Sequence, residues 1–401
     1  MTTAPTSRLS RRAFISASAA ATAMSLLPVR SATARSEPLK IGILLPYSGT
    51  YAMLGEAITN GLKLCIAEAG GSLAGRAVHY IAIDSEASPP EAAQNTHKLV
   101  TKENVDFLVG PVHSGVALAM TKIVAARGRP ITIIPNAGAN AITRQWCARN
   151  IFRASFSNWQ SGYPCGRVLI EDGHRTLVTM TWKYAAGEEM MAACAEHFEA
   201  LGGNVLKHLR VPFPDVAFQA QLSEIAALQP DAVCAFFSGG GAVKFVTDYA
   251  ATGLKERIPL YGPGFLTEGV AKAQGSAAEG IKTTLHYADT LPLPANLRFR
   301  ASYRNAFGRE ADVFSVQGYD TASLIIGAVE AVDGDTSAVE QMATALGKAE
   351  LKTSPRGAWR MSAAHNPIQS IYLRQVTRGE HEILRTVAEA LEDPATGCSL
   401  T

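Results

Sequence analysis

Three short segments carry the small and polar residues that can hold a carboxylate, and each directly follows a predicted strand. They lie at residues 110–115, 135–140 and 238–241, and they contain His113, Ser114, Asn136, Ala137, Gly138, Ser238 and Gly239. A hydroxyl beside the exposed N–H groups of a helix N-terminus is suited to an anion, which makes Ser114 a candidate ligand-binding residue. Serine is equally a preferred helix N-cap, and the other two segments are also compatible with plain turns.

The motifs of the chain do not favour catalysis. Ser238, His286 and either Asp289 or Asp320 could be combined into a triad, but no serine lies in a G-x-S-x-G elbow. His381 is not followed by the second histidine of a zinc helix, and the G-x-x-x-x-G-K-[ST] phosphate loop is absent. We therefore expect a binding protein and not an enzyme, with no catalytic residue, no cofactor and no metal.

Short apolar runs alternate with amphipathic stretches, and these elements must position the three segments. The predicted strands lie at residues 39–45, 78–84, 107–110, 131–134, 150–154, 177–181, 205–211, 232–237 and 281–285. Helical spacing follows most of them, as at residues 55–69, and Pro89 is placed to open another helix. This pattern is typical of α/β folds with parallel sheets, in which ligands gather at the carboxyl ends of the strands. Because it continues through most of the chain, we expect two such sheets.

Residues 1–34 have the features of an export signal. Arg11 and Arg12 precede an alanine-rich apolar run, and a small-x-small cleavage site ends at Ala34. The arginine pair resembles the twin-arginine address; an ordinary secretory signal with two chance arginines is the alternative. We expect cleavage after Ala34, a periplasmic location and no membrane-spanning segment in the remaining chain.

Length, charge and cysteine spacing narrow the class further. A chain of 401 residues usually splits into two domains, and a net charge of only +2 without a long basic block argues against nucleic acid as a partner. None of the six cysteines forms a C-x-x-C pair, which disfavours a zinc ribbon or a dithiol redox site. Cys147 and Cys165 flank one predicted strand and are the first candidates for a disulfide; the alternative is a set of free buried cysteines.

An ordered series of short segments resembles the branched-chain amino-acid-binding (Leu/Ile/Val-binding, type I) family of ABC-transporter solute receptors. The matching segments are residues 41–52, 60–61, 109–114, 135–138, 152–153 and 319–320. The resemblance implies two Rossmann-like lobes with parallel sheets, joined by three crossovers near residues 154–157, 286–287 and 356–359, with the ligand enclosed by hinge closure. Residues 35–155 and 287–357 would form lobe 1, and residues 156–286 and 358–401 lobe 2.

The chain departs from the family pattern at the ammonium-binding positions. In the family, the serine matching Ser114 and the segment matching residues 136–138 hold the ligand carboxylate, while a tyrosine and an acidic residue of the second lobe hold the ammonium. Here these last two positions fall on Ala186 and Gly264. An ammonium buried without a partner costs several kcal/mol, so we expect a carboxylate that lacks an α-amino group.

Four aromatic residues extend this expectation. Trp159, Trp182, Tyr184 and Phe265 lie near predicted strand exits, where they either face a planar ligand or pack between loop and lobe. His113 either donates to the carboxylate or packs under its loop. The combination resembles an aromatic-acid-binding subgroup of the family, with an amino-acid receptor or a ligand-sensing protein as the alternative. The expected partners are a small carboxylate and ABC permease subunits, and the protein is expected to be a monomer that does not insert into the membrane.

Overall fold

The computed structural model describes residues 1–3 and 37–401. The predicted export signal, with Arg11, Arg12 and the cleavage site, therefore falls outside the described residues. Within the part of the chain that is described, no helix is both long enough and apolar enough to cross a membrane.

The first sheet has six strands and is parallel except for its short edge strand. Its strand order is β2-β3-β1-β4-β5-β6, and only the β2–β3 pair is antiparallel. The elements are β1 Leu39–Leu45, α1 Ala52–Glu68, β2 Ser72–Leu73, β3 Arg76–Asp84, α2 Pro89–His97, β4 Phe107–Val109, α3 Ser114–Arg127, β5 Ile131–Ile134 and β6 Ile151–Arg153. The central strands are almost entirely buried, which explains why they read as continuous apolar runs.

The second sheet has nine strands and combines a parallel half with an antiparallel half. Its order is β12-β13-β14-β11-β10-β9-β7-β8, with β15 paired to β14. The elements up to its last parallel strand are α4 Asn158–Glu171, β7 Thr176–Trp182, α5 Ala185–Ala200, β8 Asn204–Val211, α6 Gln219–Leu228, β9 Ala232–Phe236, α7 Gly239–Ala251, β10 Leu260–Pro263, α8 Ala271–Gln274 and β11 Lys282–Leu285. The antiparallel strands are β12 Glu350–Leu351, β13 Trp359–Met361, β14 Pro367–Thr377 and β15 Glu380–Leu391.

Three helices between β11 and β12 return the chain to the first sheet. They are α9 Pro294–Phe307, α10 Val313–Glu330 and α11 Val339–Gly347. The α10 helix packs closely along α1, because the contact is made through Gly61 and Gly318. A Cβ at Gly61 would lie 1.9 Å from the carbonyl oxygen of Ser315, so no larger residue fits this helix pair.

The predicted α/β architecture of two lobes is confirmed, and all nine predicted strands are present. The strands that the sequence did not predict are the short edge strand β2, β10 and the four antiparallel strands β12 to β15. The sequence carries a signal for the hairpin of β14 and β15, because only the two residues Arg378 and Gly379 separate the two runs. In the structure both residues have a positive φ, of 55° and 76°. A two-residue link with this geometry is typical of a tight β-hairpin.

The predicted disulfide between Cys147 and Cys165 is wrong. Cys147 is bonded to Cys398, with their Cα atoms 5.5 Å apart, which ties the loop before β6 to the C-terminal segment. Cys165 instead points from α4 into the core of the second lobe, where it is buried. The free buried state, considered as the alternative, holds for Cys165 and for Cys65, Cys194 and Cys234.

A buried ion pair lies where two of the predicted crossovers meet. The carboxylate of Asp320 in α10 is 2.9 Å from Nε of Arg356, and both side chains are almost fully buried. Arg356 also donates to the carbonyl oxygens of Ala154, at 2.6 Å, and Ser155, at 3.2 Å. Because Trp359 Nε1 donates to Asp320 as well, at 3.0 Å, the stretches after β6 and before β13 are both attached to one helix.

Candidate functional site

A small cavity lies between the two lobes at the carboxyl ends of their strands. It is lined by residues at or after the carboxyl ends of β1, β4, β5, β6, β7, β9 and β10. These residues are Tyr51, Leu54, Val112, Ser114, Asn136, Gly138, Phe156, Asn158, Tyr184, Ala186, Met190, Phe236, Ser238 and Phe265. Its volume is about 20 Å³, enough for a water molecule but not for an organic ring. A larger groove, about 730 Å³, lies beside α9, α10 and α11 and contains none of the predicted site residues.

Several helices begin at this cavity. Ser114 is the first residue of α3, Asn158 the first of α4, and Ala186 the second of α5, while Ser238 directly precedes α7. A helix N-terminus carries a partial positive charge and free N–H groups, so their convergence favours an anion at this point.

Two serine hydroxyls face this region from opposite lobes without a hydrogen-bond partner among the described residues. Both Ser114 Oγ and Ser238 Oγ are buried, and both residues line the cavity. The N-cap alternative for Ser114 is wrong, because Nδ1 of His113 caps α3 by accepting from the N–H of Gly115 at 3.0 Å. The serine hydroxyl is therefore left available for a ligand.

His113 packs under the loop, as one of its two predicted alternatives stated. Its ring stacks on Tyr184 of the other lobe, with centroids 4.4 Å apart, and lies 4.8 Å from the ring of Phe213. Burial lowers the pKa of His113 to about 4, so the ring is neutral at pH 7. It does not line the cavity itself, but it supports the tyrosine that does.

Aromatic rings form much of the cavity wall. Phe156 and Phe265 are tilted against each other at 5.0 Å, and Phe236 meets Phe265 edge-on at 6.2 Å. The hydroxyls of Tyr51 and Tyr184 are 2.7 Å apart and connect the two lobes. Burial raises the pKa of both tyrosines, so both stay protonated, and one of their two protons is not used in the bond between them.

Two amide side chains complete the polar part of the site. Asn136 donates to Oε1 of Gln317 at 2.8 Å. Asn158 donates through Nδ2 to Glu189 at 2.7 Å, and the same carboxylate oxygen accepts from the backbone N–H of Asn140 in the other lobe at 2.8 Å. Burial raises the pKa of Glu189. Asn158 Oδ1 is buried without a hydrogen-bond partner among the described residues.

Six of the twelve predicted site residues line the cavity: Ser114, Asn136, Gly138, Tyr184, Ser238 and Phe265. The structure does not bring Ala137, Trp159 or Trp182 to it. Ala137 uses its carbonyl oxygen to accept from Arg153. Trp159 stacks on Tyr163, with centroids 4.4 Å apart. Trp182 is fully buried behind the wall, where its Nε1 donates to a backbone carbonyl at 2.8 Å.

Two of the three predicted glycines, Gly239 and Gly264, do not reach the cavity. Gly239 has a φ of +57°, and a Cβ there would lie 2.2 Å from the carbonyl oxygen of Thr50, so it permits a close contact between the lobes. A Cβ at Gly264 would lie 2.5 Å from Nη2 of Arg374, which is the buried partner of Glu268. A side chain at position 264 would therefore point into this ion pair, away from the cavity.

Sequence reasoning missed Tyr51, Leu54, Val112, Phe156, Asn158, Met190 and Phe236, and it treated Ala186 only as a departure from the family pattern. A signal was available for Phe156 and Asn158, since both follow the predicted strand at residues 150–154. Met190 lies a full turn inside α5, where only the folded structure shows its position.

The cavity wall is uncharged. Among the described residues that line it there is no Asp, Glu, Lys, Arg or His. An ammonium group would find no carboxylate there, whereas a carboxylate would find hydroxyls and helix N-termini. The chemistry of the site therefore fits a small monoanion with a flat apolar body.

Comparisons with known proteins agree with this architecture. A family profile described as periplasmic binding protein matches residues 38–381. The Leu/Ile/Val-binding protein homolog 6 of Brucella melitensis is 29% identical over 368 residues, covering 90% of this chain and 93% of its own. A solute-binding protein of an ABC transporter from R. palustris, solved in complex with benzoate, is 50% identical with a TM-score of 0.88, covering 90% of this chain and 99% of its own. A second solute-binding protein, from Rhodopseudomonas palustris BisB5 in complex with 3,4-dihydroxybenzoic acid, is 28% identical with a TM-score of 0.84. The match covers 89% of this chain and 99% of the other.

Proposed function

This chain belongs to the periplasmic binding protein family, and on that premise we propose that it is the solute-binding component of an ABC importer for an aromatic carboxylate. The ligand is enclosed between the lobes and then released to permease subunits without chemical conversion. The observation that carries the proposal is the uncharged aromatic cavity at the meeting point of several helix N-termini.

The polar groups of the cavity match a carboxylate better than an α-amino acid. The hydroxyls of Ser114 and Ser238 can each donate one hydrogen bond to it, one from each lobe, and the pair of Tyr51 and Tyr184 has a further proton to donate. Hydrogen bonds to an ionised acceptor are worth about 1.5–3 kcal/mol each, so a few suffice for tight binding. An α-ammonium would have to be buried without a carboxylate, which opposes amino-acid binding.

The aromatic side chains of the cavity wall can contact the apolar ring of the ligand. Phe156, Phe236 and Phe265 offer ring faces and edges, and aromatic pairs gain about 0.5–1.5 kcal/mol beyond the burial of apolar area. Support comes from the similar structures, which were solved with benzoate and with 3,4-dihydroxybenzoic acid. A benzoate-type ligand is therefore the first choice.

Binding requires the lobes to open. A ring does not fit a cavity of about 20 Å³, and the Tyr51–Tyr184 hydrogen bond joins the two lobes at its wall. We propose a hinge motion between lobe 1, residues 35–155 and 287–357 apart from the edge strand β12, and lobe 2, residues 156–286 and 358–401 together with β12. The protein acts as a monomer that does not insert into the membrane.

Isothermal titration calorimetry with matched ligands tests the proposal. Benzoate should bind, benzyl alcohol should bind far more weakly because it lacks the charge, and cyclohexanecarboxylate should bind more weakly because it lacks the flat ring. Leucine is the rival ligand, since the Brucella relative is named a Leu/Ile/Val-binding protein homolog. Tight leucine binding, or equal binding of benzoate and benzyl alcohol, would contradict the assignment.

Export to the periplasm is proposed through the twin-arginine route, with a mature N-terminus near Arg35. Replacing Arg11 and Arg12 together by lysine should abolish export, which fractionation and N-terminal sequencing of the secreted protein would measure. Unchanged export of the double variant would indicate the ordinary secretory route.

A further inference from the structure

Three free cysteines that lie far apart in the sequence meet in the core of the second lobe. Cys165 comes from α4, Cys194 from α5 and Cys234 from β9, and all three are buried. The Sγ atoms of Cys165 and Cys234 are 3.7 Å apart, and those of Cys194 and Cys234 are 3.6 Å apart. All three sulfur atoms lie within 4.8 Å of one another.

The size of this sulfur triangle matches three-coordinate thiolate binding. A point equidistant from the three sulfurs lies about 2.1–2.4 Å from each, and metal–thiolate bonds are close to this length, about 2.3 Å for zinc. No fourth His, Cys, Asp or Glu of the described residues belongs to the group. Zinc prefers four ligands, so the triangle favours a soft ion that accepts three.

Burial decides the charge of that ion. The three side chains are at most 1% exposed, and a net charge in such a place is costly. Three thiolates carry three negative charges, which a trivalent ion neutralises completely. A monovalent or divalent ion would leave the site charged.

We propose that Cys165, Cys194 and Cys234 form a binding site for a trivalent thiophilic ion, with arsenic(III) as the defining ligand. Arsenous acid, As(OH)₃, reacts with three thiols to form three As–S bonds. Three As–O bonds and three S–H bonds break, three water molecules leave, and neither arsenic nor sulfur changes its oxidation state. The product is neutral, so no uncompensated charge is buried.

Loading is coupled to folding. The cysteines are enclosed by α4, α5 and β9, so an ion reaches them when these elements separate or before they pack. Binding to the folded form alone stabilises it, and the stabilisation increases with the concentration of free ligand. Refolding in the presence of arsenite should therefore load the site more completely than adding arsenite to the folded protein.

The test is to refold the chain with sodium arsenite, keeping the Cys147–Cys398 disulfide oxidised, and to record native mass spectra and arsenic X-ray absorption. The expected result is one arsenic per chain, a mass gain of one arsenic atom minus three hydrogens, three sulfur neighbours and a higher melting temperature. Cys194→Ala and Cys165→Ala should each abolish retention. Cys65→Ala is the matched control, because Cys65 is also free and buried but belongs to α1 of the other lobe.

Three results would contradict the proposed arsenic site. Failure of the wild-type chain to retain arsenic overturns the proposal, and so does retention that persists in both cluster variants. Two sulfur neighbours instead of three would also overturn it. Melting curves recorded without arsenite show whether each variant folds; if one cluster variant does not fold, the other one and Cys234→Ala carry the test. Benzoate binding is independent of all these outcomes.

Discussion

Replacement of Ser114 by alanine separates the two roles that a serine at a helix start can have. His113 already caps α3, and Ser114 Oγ is buried without a hydrogen-bond partner among the described residues. Removing the hydroxyl should therefore not destabilise the unliganded protein. Because an unsatisfied buried hydroxyl is costly, the free energy of unfolding should stay unchanged or rise by up to about 1 kcal/mol.

The affinity for the ligand should fall in Ser114→Ala, although the stability of the unliganded protein does not. A hydrogen bond to a charged group is worth about 1.5–3 kcal/mol, and 1.4 kcal/mol corresponds to a factor of ten in affinity. The Kd for benzoate should therefore rise about 10- to 150-fold in Ser114→Ala. Isothermal titration calorimetry gives the affinity, and urea unfolding of the unliganded protein gives the stability.

A matched control exists in α4. Ser161 Oγ is also buried without a partner, but Ser161 does not line the cavity. Ser161→Ala should change stability in the same way as Ser114→Ala and leave the Kd unaltered. The reasoning fails if Ser114→Ala binds benzoate normally, or if it loses stability that Ser161→Ala keeps.

Further predictions concern a glycine, a histidine and the disulfide. Gly264→Ala should lower the free energy of unfolding by about 1–3 kcal/mol, because its Cβ would lie 2.5 Å from Nη2 of Arg374. The melting temperature should fall accordingly, and a melting curve equal to that of the wild type would contradict this. Burial lowers the pKa of His113 to about 4 from 6.5, so the unfolded chain binds this proton at higher pH than the folded one, and stability should decrease as the pH falls from about 6.5 to 4. His113→Asn keeps a capping acceptor without titrating in that range, and urea unfolding at several pH values should show a shallower slope. Cys147→Ser combined with Cys398→Ser should cost up to about 5 kcal/mol, because the bond closes a loop with a sequence separation of 251. Equal urea midpoints for this variant and the oxidised wild type would refute the last estimate.

The fold was predictable because its signals are local. The central parallel strands are short apolar runs, and their burial on both faces follows from the sequence alone, as in residues 39–45. The antiparallel strands β14 and β15 were missed because neither shows a regular alternation: β14 is buried or half-buried throughout, β15 is largely exposed with only His381 buried, and register shifts interrupt their pairing near Ile371. Their positions depend on partners that are distant in sequence.

The sequence predicted several of the cavity residues that closely follow a predicted strand. Ser114, Asn136 and Ser238 were found by this rule, and Phe156 obeys it as well. The direction of a side chain is a different matter. Trp182 directly ends β7, yet it turns into the core, and nothing in its local sequence shows that. The cysteine cluster is likewise invisible before three separate elements pack together.

The Asp320–Arg356 pair has a consequence for the energy of ligand capture. Because one ion pair and its hydrogen bonds attach two connecting stretches to α10, we expect these stretches to stay ordered when the lobes open. The proposed rotation of the lobes should then require torsional changes in only a few residues, so that little conformational entropy is lost on closure. We therefore expect the proposed closure to cost little conformational entropy in these two stretches, which leaves more of the interaction energy in the cavity available as affinity.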